Sequence, residues 1–84
     1  MFEIKFKKKA IKALSRINTP NYNNIIKVID NLAENPRPNG YKKLTGRDGY
    51  RIRVGSYRII YDIFDTKLII EIVNVGSRGD IYKD

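Results

Sequence analysis

Apolar residues recur along this chain with two different periods, and the change of period divides it. The opening Phe2-Glu3-Ile4-Lys5-Phe6 alternates apolar with charged, which predicts a half-buried strand. From Lys7 the spacing lengthens. Ala10, Leu14 and Ile17 fall on one helical face, Ile11 and Ala13 widen it, and Asn18 ends the pattern. Thr19-Pro20 predicts a second helix start, with Thr as N-cap and Pro at the first helical position. Tyr22, Ile25, Ile26, Ile29, Leu32 and Ala33 then mark a single apolar face. The run Asn35-Pro36-Arg37-Pro38-Asn39-Gly40 stops the helix, because proline cannot continue it and glycine favours the turn. So short a link between the helices predicts an antiparallel hairpin.

The second half alternates with period 2. Tyr50 to Val54 reads as a strand, Gly55-Ser56 as a type II′ turn, and Tyr57 to Phe64 as the returning strand. Asp65-Thr66 predicts a second two-residue turn into a third strand, Lys67 to Val75. The expected fold class is α+β: a small antiparallel sheet made of the first strand and a three-strand meander, with two helices packed on one face. We expect a single domain over residues 1–84, since a chain of this length supports one modest core.

Alternation sorts the meander by face. Tyr50, Ile52, Val54, Tyr57, Ile59, Tyr61, Ile63, Leu68, Ile70 and Ile72 form the expected core face. Two-residue turns would pair Ile59 with Ile72, Tyr61 with Ile70 and Arg58 with Val73. The opposite face carries Arg51, Arg53, Arg58 and Ile60, with Glu71, Val73 and Val75 behind them. Arg53 is expected directly across from Arg58. Like charges at paired positions destabilise a sheet, and a face selected only for solubility would mix signs. One reading is a solvated face whose arginine stems cover apolar surface. The other is a phosphate site, for which the planar guanidinium fork is suited.

Composition narrows the chemistry. The chain has no cysteine and no histidine, so disulfides, thiolate metal sites and the commonest general base are excluded. Lys and Arg number 17 against 9 Asp and Glu, giving +8 and a pI near 9.9. Such a charge calls for a polyanionic partner: nucleic acid first, with an acidic protein or an anionic membrane surface also consistent. No apolar run approaches a membrane span and no signal peptide is visible, so a cytoplasmic protein without a membrane partner is expected. Past the last strand, Arg78 follows closely between glycines, and Tyr82 lies four residues beyond it. If the tail folds back over the exposed face, both join the arginine patch, whose cations would favour the phenolate of Tyr82.

Several stretches together resemble the RelE/ParE superfamily of toxin–antitoxin toxins. They are Asn35-Pro36-Arg37-Pro38, Lys43-Leu44 and Gly46, Tyr50-Arg51-Ile52-Arg53-Val54-Gly55, Tyr57-Arg58-Ile59-Ile60-Tyr61, Val75-Gly76, Arg78 and Tyr82. The resemblance implies a ribosome-dependent endoribonuclease that cuts translated mRNA by attack of a 2′-hydroxyl on the adjacent phosphate, and an acidic antitoxin that inhibits it. It places the catalytic positions on Arg51, Arg53, Arg58, Arg78 and Tyr82. It implies no metal, no cofactor and no small-molecule ligand. In this chain arginines stand at 51 and 53 where the best-known ribonuclease members carry lysines, and Ser77 stands where many members carry histidine. Arginine stays protonated, so Arg51 and Arg53 are expected to stabilise charge rather than act as bases. Tyr82 is then the candidate to take the 2′-hydroxyl proton. Three other readings stand beside this one: a ParE-like poison of DNA gyrase, a non-enzymatic module that binds RNA or ribosomes, and an inactive toxin kept for partner binding. Arg37 is expected to fix its turn, and Lys42 and Lys43 to be solvated loop charges.

Overall fold

A computed structural model of the chain describes residues 1–77. The element order is β1 (Glu3–Phe6), α1 (Lys8–Leu14), α2 (Asn21–Glu34), β2 (Lys42–Lys43), β3 (Tyr50–Val54), β4 (Tyr57–Phe64) and β5 (Ile69–Ser77). The strands form one five-stranded sheet in the order β1-β5-β4-β3-β2, and both helices contribute to a core on one of its faces. The α+β class is as the sequence predicts. The meander β3-β4-β5 is antiparallel, whereas β1 runs parallel to β5, so the sheet is mixed.

Both helices are held by their apolar faces rather than by their caps. Ala10 and Leu14 of α1, and Ile25, Ile29 and Leu32 of α2, are buried against Ile52, Ile59, Tyr61, Ile70, Ile72 and Val75 of the sheet. Neither helix has a side-chain N-cap hydrogen bond, and α2 begins one residue later than expected, with Pro20 rather than Thr19 at the N-cap position. Ile11, the outermost residue of the expected α1 stripe, is 55% exposed.

The first hairpin has the expected register: Arg53 pairs with Arg58, Ile52 with Ile59 and Arg51 with Ile60. Gly55 has φ +61, as the first position of a type II′ turn requires. The second hairpin differs. Its connection runs from residue 65 to 68, four residues in place of two, and Leu68 sits at φ 56. Leu68, expected in the core, is therefore 52% exposed. Tyr61 pairs with Ile72 rather than Ile70, a shift of two that keeps the core face intact. A bulge between Ile60 and Tyr61 then moves the register by one more, so that Ile59 pairs with Val75 and Arg58 with Gly76. The one-residue step turns Val75 to the core face, where it is 3% exposed.

The turn at residues 35–40 is tied to the sheet. The Tyr61 hydroxyl donates to the Pro36 carbonyl at 2.7 Å. Burial, reinforced by the neighbouring Tyr41, pushes this phenol far above its ordinary pKa and keeps it a donor. Arg37 grips Asp65 with both guanidinium nitrogens, at 3.2 and 3.0 Å, and lies 5.9 Å from the centre of the Tyr50 ring. Arg37 thus fixes its turn, as the sequence predicts, by joining it to the β4–β5 connection.

Candidate functional site

The helix-free face is built by the outward positions of β2, β3 and β4. On β3 these are Arg51 and Arg53, two residues apart and so on one side of the pleat. Arg58 comes from β4, directly across from Arg53. On the far side of Arg58, β5 presents Gly76, which has no side chain. That neighbour is a product of the bulge: in the expected register Val73 would stand there.

The outer strand β2 was missed by the sequence reading, because two residues have no period. It pairs Lys42 with Arg51 and Lys43 with Tyr50. Lys42 thereby joins the arginine face. Lys43 sits 5.5 Å from the centre of the Tyr50 ring at the sheet edge. The loop after β2 closes down on the sheet, with the Leu44 N–H donating to the Gly49 carbonyl at 3.0 Å. Gly49 has φ +114, and a Cβ there would lie 3.0 Å from an Asp62 carboxylate oxygen and 3.3 Å from Leu44 Cδ1. Only glycine permits that approach. Leu44 is buried with Ile60, and Val73 packs against them. This second, smaller apolar cluster lies beneath the cations.

The result is an open depression of about 520 Å³, lined by Lys42, Lys43, Leu44, Thr45, Arg47, Arg51, Arg53 and Arg58. Six of these eight side chains are cationic and none is acidic. The carboxylates of this face lie further along the sheet, where Asp62 pairs with Glu71. Burial first, then the charge of Glu71, raises the Asp62 pKa above its ordinary value. Among the described residues the face is thus divided by charge. The structure brings Arg51, Arg53 and Arg58 together around one cavity. Arg78 and Tyr82, the other two residues expected at the site, lie outside the described residues. Lys42, Lys43 and Arg47 are the additions. A lysine pair two residues ahead of a Gly-Arg-Asp-Gly turn is the only trace of them in the sequence.

The sequence and the fold match known proteins. The family described as the ParE toxin of type II toxin–antitoxin systems aligns with residues 4–82. The chain belongs to this family. It sits within the RelE/ParE superfamily of toxins, and solved RelE structures share its fold. The toxin in the archaeal RelE–RelB complex from Pyrococcus horikoshii OT3 superposes with a TM-score of 0.82 at 31% identity, over 93% of this chain and 96% of that one. The intact Escherichia coli RelBE toxin–antitoxin complex gives 0.81 at 26% identity, over 93% and 98%. In sequence, the mRNA interferase toxin RelE of Escherichia coli strain K12 is 25% identical over 83 residues, 94% of this chain and 87% of that protein. No helix among the described residues of this RelE-like toxin is long and apolar enough to cross a membrane.

Proposed function

We propose that this RelE-like toxin is a ribosome-dependent mRNA endonuclease inhibited by an acidic antitoxin. The observation that carries the reading is the depression on the helix-free face, where, among the described residues, six cations and no carboxylate surround an apolar floor. Preorganised charge over a low-dielectric floor stabilises a developing phosphorane more than water can. The similarity to an mRNA interferase supports RNA as the substrate. RelE–RelB complexes among the structural relatives support an antitoxin partner.

The 2′-hydroxyl of the nucleotide before the cut loses its proton and its oxygen attacks the adjacent phosphorus. The bond to the 5′ oxygen breaks, and that oxygen leaves with a proton. The products are a 2′,3′-cyclic phosphate and a 5′-hydroxyl. Arg58 holds the scissile phosphate, while Arg51 and Arg53 stabilise the dianionic phosphorane; none of them acts as a base, because guanidinium stays protonated. Arg78 neutralises charge on the leaving oxygen, which takes its proton from water, and Tyr82, as phenolate, accepts the 2′-hydroxyl proton. Orientation by the ribosome supplies much of the remaining rate. The arginines provide the charge stabilisation that a metal would otherwise give, so a phosphorothioate at the cut site is expected to slow cleavage without rescue by thiophilic ions.

The test is purified protein added to ribosomes programmed with a defined message, beside the same message free in solution. Cleavage of the bound message alone is expected. Intact message in both refutes the nuclease reading, and gyrase-dependent DNA breaks on expression would replace it with the ParE activity.

A further inference from the structure

At about 520 Å³ the depression is larger than one phosphate needs. Its cations fall into two rows across the sheet: Arg53 with Arg58, and Lys42 with Arg51. The rows are one pleat repeat apart, about 6.6 Å of strand, a distance comparable to one step of an extended nucleotide backbone. The second row is flanked by Lys43 and by Arg47 of the β2–β3 loop, and all of these residues line the same cavity. The loop is held in place by the Leu44 N–H bond to the Gly49 carbonyl and by the burial of Leu44.

We propose that Lys42, with Arg47 beside it, binds the phosphate next to the scissile one, so that the depression is a two-phosphate cradle for single-stranded RNA. The inference rests on reading the depression as an RNA surface and adds a subsite to it. The sequence of charges supports RNA over a point anion: two cation rows in register with a strand, open at the sheet edge, follow a linear polyanion. Lys42 is suited to this role. It is exposed, and as a flexible point charge it follows a backbone without imposing a reaction geometry.

The probe is a trinucleotide with 2′-O-methyl riboses, which binds without being cut. It is compared with the same trinucleotide carrying one neutral methylphosphonate linkage. Affinities are read by NMR titration of the full chain at low ionic strength. The wild type should bind the two-charge trimer about two- to fivefold more tightly than the one-charge trimer, the range of a single exposed ion pair. Lys42→Gln should lose that advantage and bind the one-charge trimer as the wild type does. Arg47→Gln carries the same prediction and serves if the first variant loses its dispersed amide spectrum. Arg53→Gln should instead weaken both trimers together. Retention of the two-charge advantage in both Lys42→Gln and Arg47→Gln overturns the second subsite while leaving the RNA reading intact. No binding of either trimer by the wild type overturns the RNA reading, and the subsite with it.

Discussion

Arg53 and Arg58 face each other across a hairpin, and relieving that repulsion should stabilise the protein while disabling it. With a two-residue turn the flanking pair, Val54 and Tyr57, is hydrogen-bonded, so Arg53 and Arg58 occupy the next, non-hydrogen-bonded position, where side chains stand closest. Like charges so placed cost about 0.2–1 kcal/mol. Coulomb's law gives a consistent figure of about 0.6 kcal/mol for charges ~7 Å apart in a near-aqueous dielectric. Arg51 and Lys42 add repulsion of the same sign. Arg53→Gln keeps the exposed stem and removes the charge. For a domain of this size the gain corresponds to a rise of about 2–5 °C in Tm at low salt. In 1 M salt the screening length falls to about 3 Å and the gain should vanish. Arg53→Lys retains the charge and should show little of it. Thermal unfolding followed by circular dichroism at both salt concentrations measures the effect. In the ribosome assay Arg53→Gln should lose on the order of 10²-fold in rate, as expected for removal of one preorganised donor. A Tm that falls, or a rise that survives high salt, would refute the idea that stability is given up here to concentrate positive charge.

Other expectations come from the ties around the site. Asp65 has its pKa lowered by the Arg37 hydrogen bonds, so its contribution is present above its usual value of 3.8 and is lost as pH falls through the lower folded value. Asp65→Asn should therefore flatten the acid side of the Tm–pH curve, and an unchanged acid limb would contradict the pairing. Tyr61→Phe removes a buried donor from the Pro36 carbonyl and should lower stability by about 1 kcal/mol in denaturant unfolding, without a matching loss in the rate of RNA cleavage. Gly49→Ala combines a strained φ with a tight contact from which Asp62 and Leu44 must shift. It should cost about 1–3 kcal/mol and shift the amide resonances of the Leu44–Arg47 segment, and a spectrum like that of wild type would show that the loop does not depend on this approach.

The sequence was informative where its period was regular. Two alternating runs around Gly55-Ser56 were enough to place Arg51, Arg53 and Arg58 on one face and to pair Arg53 with Arg58. It was uninformative where a local rule is overridden. Leu68 is apolar and reads as strand, yet it takes a positive φ in a longer connection. The bulge at Ile60/Tyr61 inserts a residue that alternation cannot foresee, and it decides that Val75 is buried and that Gly76 stands beside Arg58. The parallel pairing of β1 with β5 joins the two ends of the described chain, and no local pattern encodes it. The sequence reads Lys42 and Lys43 as solvated charges and does not single out Arg47, because a two-residue strand and a loop carry no face. Their place in the depression follows from the edge pairing of β2 and from Leu44 packing on Ile60.

The central claim is that the cationic depression serves cleavage by an RNA 2′-hydroxyl. The most direct measurement places a single 2′-deoxynucleotide immediately before the cut site in a ribosome-bound message and maps the ends. The account predicts no cleavage at that nucleotide, and 2′,3′-cyclic phosphate and 5′-hydroxyl ends on the unmodified message. Cleavage after the deoxynucleotide at the normal rate would contradict it.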